Sequence, residues 1–202
     1  MTVLLSLLLA ASAVAEAPTA TRSLYLQLIH QARADGRPRA ALAYLEDFDR
    51  RYPGDADARI LRINSLLDLG DIAGAEAMAA ALPPDATFSA VRGHLQAARG
   101  RWAEALPFYQ RAIQASPADP LLRNALGYAQ LRAGSTDQAI ETLRGALDLA
   151  PADPAIRNNL LLALTVVGGR AEMEALLRQI RDDRERDSLR RQLIAQAARM
   201  TP

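Results

Sequence analysis

Small and apolar residues return along this chain at fixed distances from a glycine. Gly36, Gly70, Gly100, Gly134 and Gly168 are spaced 34, 30, 34 and 34 residues apart. Alanine follows five residues later in four cases (Ala41, Ala75, Ala105, Ala139) and proline 17 residues later in three (Pro53, Pro117, Pro151). A period of this length belongs to helical hairpins, so each glycine is read as the turn between two helices. The chain then divides into five hairpins: Arg22–Asp55, Ala56–Asp85, Ala86–Asp119, Pro120–Asp153 and Pro154–Asp187. Stacked hairpins bury a shared core and offer a continuous concave surface.

Polar residues punctuate the same register. Ser116-Pro117-Ala118-Asp119-Pro120 and Ala150-Pro151-Ala152-Asp153-Pro154 each order a helix stop, an acidic N-cap and a proline at the first helical position. The second hairpin is four residues short and ends in Leu82-Pro83-Pro84-Asp85, so its second helix is expected to lose about one turn. The fifth carries Met173 where the others have alanine, and its charged run Arg181–Asp187 is expected on a solvated helix end. Beyond it, Leu189, Leu193, Ala197 and Met200 recur at helical spacing, which predicts a capping helix over 188–202.

The third and fourth hairpins share small, large, small and proline positions in one order. They are Gly93, Ala105, Tyr109, Ala112 and Pro117 in one, and Leu126-Gly127, Ala139, Leu143, Ala146 and Pro151 in the other. In this the chain resembles tetratricopeptide repeat (TPR) proteins over nearly its whole length after the first residues. The resemblance implies an all-α fold, a right-handed superhelical solenoid of about five hairpins plus a C-terminal capping helix. It also implies that the first helix of each hairpin lines the inside of the superhelix.

Composition narrows the function. Half the residues are hydrophobic but only 4% are aromatic, so the core must be built from alanine and leucine, strong helix formers that let helices approach closely. The net charge of +1 lacks the basic excess with which proteins neutralise nucleic-acid phosphates, and nucleic acid is not an expected partner. All 24 basic residues are arginine, a bias read as the mark of a GC-rich bacterial genome. Cysteine is absent, removing disulfides, thiolate chemistry and lipidation at cysteine. No P-loop, dinucleotide-binding, nucleophile-elbow or HExxH motif occurs, and His30 and His94 stand outside any metal-ligand spacing. The expectation is a protein that is not an enzyme and holds no cofactor or metal.

Val3 to Ala15 is an apolar, small-residue run, shorter than the roughly 20 residues a bilayer-spanning helix needs. It is read as a signal peptide over 1–15, with Ala13-Val14-Ala15 at the cleavage site and a short linker over 16–21. The mature protein is therefore expected outside the cytoplasm, in the periplasm of a Gram-negative bacterium, with no stable membrane insertion.

The ninth position of successive hairpins reads His30, Asn64, His94, Tyr128 and Leu162. On stacked first helices these form a ladder, flanked by Arg33, Asp68, Arg132 and Thr165 on one side and by Asn124 and Asn158 on the other. A row of amides, imidazoles, a phenol and mixed charges suits an extended peptide, whose backbone needs donors and acceptors at intervals. The stretches Asn124-Ala125-Leu126-Gly127-Tyr128, Arg157–Leu164 and Gly168-Gly169-Arg170 also resemble the TPR proteins of tight-adherence (Flp-type) pilus assembly. That resemblance implies a scaffold for an envelope pilus or secretion machine. The alternative is an adaptor or chaperone for other envelope clients, such as exopolysaccharide or cytochrome maturation systems.

Overall fold

The computed structural model of the protein describes residues 19–200. The expected signal peptide over 1–15, residues 16–18 of the expected linker and residues 201–202 lie outside the described residues. Residues 19–21, also expected in that linker, are already helical, since no helix breaker stands between Thr19 and Arg22.

Among the described residues there are eleven α-helices. They are α1 (19–34), α2 (Pro38–Arg51), α3 (Ala56–Asp68), α4 (Ile72–Ala79), α5 (Ser89–Ala98), α6 (Trp102–Ala115), α7 (Pro120–Arg132), α8 (Thr136–Leu149), α9 (Pro154–Val167), α10 (Arg170–Leu177) and α11 (Asp183–Ala198). A single 3-10 turn, Ala86–Phe88, precedes α5. The odd-numbered helices through α9 are the first helices of the five hairpins.

The five turns share one mechanism. Each repeat glycine has a positive φ, from 68° at Gly36 to 86° at Gly134, a conformation that costs an L side chain roughly 1–2 kcal/mol. At the end of α3, Gly70 N–H donates to the Leu67 carbonyl and Asp71 N–H to the Leu66 carbonyl, both at 2.9 Å. The same pair of bonds closes α1, α5, α7 and α9, satisfying carbonyls that a helix end otherwise leaves open. Starts are as regular: Asp55, Asp119, Asp153 and Asp182 each accept backbone N–H groups of the helix that follows.

The chain divides into two compact blocks, one through Leu82 and one from Pro83 onward. In the first, Ile29 and Ala32 of α1 pack with Ala41, Leu45 and Phe48 of α2 and with Ala58 and Leu61 of α3. Its last helix, α4, has 8 residues where α2 has 14, a larger loss than the single turn expected. In the second block the hairpins close over glycine: a Cβ on Gly93 would lie 2.7 Å from the Tyr109 ring, and one on Gly127 would lie 2.6 Å from Leu143 Cγ. Leu160 to Leu164 of α9 are all buried, and Leu193 and Ala197 of α11 complete that core.

The charged run is on a solvated helix end, as expected, but that end is the start of the capping helix, which begins before residue 188. Helix α10 ends at Leu177, and α11 begins at Asp183, so residues 183–187 open the capping helix instead of closing the fifth hairpin. Asp182 caps α11 through Glu185 N–H, and Asp183 and Glu185 sit in its first turn, where negative charge offsets the helix dipole.

Candidate functional site

In the first block, several expected ladder residues are engaged by the protein itself. Arg33 Nε donates to Asp68 Oδ2 at 2.8 Å, so these two residues satisfy each other across α1 and α3. Asn64 is buried and engaged within the protein. His30 is exposed on α1, and shielding by its surroundings, with the nearby Arg33 charge, holds its imidazole below the usual value. Arg22 reaches from α1 to Asp55 at 2.7 Å and Asp57 at 2.6 Å. Desolvation pushes the Asp55 carboxyl up, but the hydrogen bonds from Arg22 and Ala58 N–H outweigh it and leave the group below its ordinary range.

In the second block, α7, α9 and α11 present one face. His94 on α5 is half-buried with its ring 5.5 Å from that of Tyr109. Asn124 on α7 accepts from Asn159 Nδ2 on α9 at 2.8 Å. The expected neighbour Asn158 instead turns its amide oxygen into a shielded position with no hydrogen-bond partner. The reason is register. Arg22–Asp57, Arg33–Asp68 and Asn124–Asn159 are all 35 residues apart, one more than the repeat, so a first-helix residue meets the next position of the following hairpin. That offset was the signal by which Asn159 could have been found.

Tyr128 and Arg132 form the most developed part of the face, with a third member, Trp102 at the start of α6, that lies outside the expected ladder. The Trp102 and Tyr128 rings meet edge to face at 5.6 Å, and the Arg132 guanidinium lies 4.5 Å from the Trp102 ring centroid. Arg132 Nη1 also donates to the Tyr128 hydroxyl at 3.3 Å. All three remain partly or largely exposed. Such stacking fixes the plane of the guanidinium while leaving its outer edge free to donate.

Arg132 is the shared wall of two notches. One, of about 260 Å³, runs along the turn at Gly100 and Arg101 to Trp102 and Glu104. The other, of about 250 Å³, is bounded by Arg132, Gln196, Arg199 and Met200. The C-terminal ends of α7 and α11 thus converge although α9 lies between them in the chain. Thr165 lines a third, larger and mostly apolar cavity of about 360 Å³ with Met173, Ile194 and Ala197. Its hydroxyl donates to the Leu161 carbonyl at 2.7 Å. Leu162, the last rung of the expected ladder, lies in the core with 1% exposure.

Among the described residues, no group of three or more His, Cys, Asp or Glu side chains is placed to hold a metal ion. No described helix is long and apolar enough to cross a membrane.

Known proteins place this geometry in context. The family model described as Tetratricopeptide repeat matches residues 32–98 and 96–164. Among solved structures, TTC0263, a thermophilic TPR protein of Thermus thermophilus, is similar at 24% identity and a TM-score of 0.69, covering 88% of this chain and 98% of its own. MamA from Desulfovibrio magneticus RS-1 is similar at 21% identity and a TM-score of 0.54, covering 85% and 96%. YrrB, described as a TPR protein with an unusual peptide-binding site, is similar at 16% identity and a TM-score of 0.51, covering 87% and 90%. No curated protein matches the sequence. With two adjoining family matches that span most of the five hairpins, the chain belongs to the tetratricopeptide repeat family.

Proposed function

We propose that the protein is an exported, non-enzymatic scaffold that binds an extended segment of a partner polypeptide on the face shared by α7, α9 and α11, and that it serves the assembly of an envelope pilus or secretion machine. The observation that carries the binding reading is the Trp102, Tyr128 and Arg132 cluster, whose side chains remain partly or largely exposed beside two notches. Aromatic and arginine side chains grouped this way are the commonest energetic anchors of protein interfaces. The similar solved chain described as having an unusual peptide-binding site favours the same class of ligand. Export is supported by the apolar run from Val3 to Ala15, and the machine-assembly role by the resemblance around Asn124–Tyr128 and Arg157–Leu164.

The test is photo-crosslinking from position 128 in the native envelope fraction, with mass spectrometry of the adducts. Capture of a pilus or secretion component, lost in Tyr128→Ala and Arg132→Ala proteins of unchanged helical circular dichroism, supports the proposal in full. Capture of many unrelated exported proteins moves the function to a general chaperone. Absence of any polypeptide adduct overturns peptide binding on this face.

A further inference from the structure

The notch between the ends of α7 and α11 collects hydrogen-bond donors and no acceptor of opposite charge. Arg132 and Arg199 both line it, with the Gln196 side chain between them and Met200 as an apolar wall. Each arginine sits at a helix C-terminus, where a cation offsets the negative end of the helix dipole. That accounts for one arginine per helix, not for two directed at one cavity. Neither Arg132 nor Arg199 forms an ion pair with any described carboxylate, whereas Arg144 and Arg190, elsewhere in the same block, are paired with Glu172 and Glu174. Two unpaired arginines lining one cavity make its potential positive, which favours an anion there. The stacking of Arg132 on Trp102 holds its donors in place for such an anion.

We infer that this notch binds an acidic side chain of the partner polypeptide, an aspartate or glutamate within an extended segment, with Arg132 and Arg199 donating to the carboxylate and Gln196 to its free oxygen. The inference rests on the peptide-binding reading above and specifies the partner: an acidic residue next to an apolar one, the latter set against Met200. The whole block favours such a partner, since residues from Pro83 onward hold 16 arginines against 13 acidic residues.

Trp102 is the single tryptophan of the chain, so its fluorescence reports on the Arg132 wall. The probe is the peptide Gly-Ser-Leu-Glu-Ser-Gly, acetylated and amidated at its ends, compared with its Leu-Gln counterpart by fluorescence and by calorimetry on the full chain. The Glu peptide is expected to bind at least about tenfold more tightly than the Gln peptide, and Arg199→Gln to remove that preference. Salt is expected to weaken the Glu peptide selectively. Arg199 is exposed and buries nothing, so its variant keeps the fold, which helical circular dichroism verifies. Equal binding of the two peptides, no binding of either, or an unchanged preference in Arg199→Gln overturns the inference. A Leu-Gln peptide with a free C-terminal carboxylate that binds as well as the Glu peptide also overturns it, by assigning the notch to a chain terminus. Crosslinking from position 128 that captures the same polypeptide with Arg199→Gln as with the unaltered protein leaves the peptide-binding reading standing while the acidic notch fails.

Discussion

Gly127 lacks a side chain because Leu143 fills the place where one would stand: a Cβ there would lie 2.6 Å from Leu143 Cγ and 3.4 Å from the Ala139 carbonyl. Alanine in place of a mid-helix glycine gains about 1 kcal/mol of helix propensity, while forcing a methyl group into a filled seam costs about 1–3 kcal/mol. Gly127→Ala is therefore expected to be destabilising by about 1 kcal/mol. Leu143→Ala empties the space, so the double variant should be less destabilised than the sum of the two. Urea unfolding of both singles and the double decides this, and strict additivity would count against the close crossing. Charge gives a second prediction in the other block. The lowered Asp55 carboxyl contributes stability that is fully present above its ordinary value of 3.8 and is lost as pH falls through the lowered folded value. Asp55→Asn keeps an N-cap side chain for α3 but removes the charge that Arg22 binds. Its unfolding midpoint should change less than that of the unaltered protein between about pH 5 and 3, as thermal melts across that range would reveal.

Helices differ in what holds them. Helix α10 is only 8 residues long, too short to be stable alone. It is tied outward by Glu172 to Arg144 of α8, an exposed pair, and by Glu174 to Arg190 of α11, a partly buried one, and pairs this open to solvent add about 1 kcal/mol or less each. Its stability comes from Leu176 and Leu177, buried in the core that α11 completes. Leu193, with 3% exposure, is the large α11 side chain in that core. Leu193→Ala is expected to cost about 2–5 kcal/mol and to release α11 and α10 together. Hydrogen exchange would then show faster amides over both helices with little change in α5 and α6, while protection retained in α10 would argue that the capping helix is not what holds it. The sequence announced α11 through its apolar stripe, but not its start. Asp182 and the acids after it read as a solvated end, and as an N-cap only once a helix was known to follow.

At the scale of the molecule, the hairpins were legible because a period needs no tertiary information: glycine at each turn, alanine five residues on in four hairpins and an aspartate before α3, α7 and α9 repeat in the text of the chain. The division into two blocks was marked only by the short second hairpin and its Leu82-Pro83-Pro84-Asp85 ending. Ala80, Ala81, Pro83, Pro84, Asp85 and Ala86 are all exposed, and few contacts cross such a boundary. Elastase, which cuts after small residues, is expected to cleave the native protein first between residues 80 and 87, leaving two fragments that gel electrophoresis and mass spectrometry would identify. First cuts within α6 or α8 would contradict the division. The candidate site was only partly legible. Sequence placed Tyr128, Arg132, Asn124 and Thr165 on first helices because position in the repeat determines the helix face. It could not tell that Arg33 and Asp68 bind each other, that Asn64 and Leu162 are buried, that Asn159 and not Asn158 meets Asn124, or that Arg199 comes to Arg132 from 67 residues away in the chain. Helices, turns and caps are set by neighbours within a few residues, whose identities the sequence states outright. Which side chains remain open to a partner depends on the offset and curvature with which the helices stack, and those are decided only when the packed core is formed.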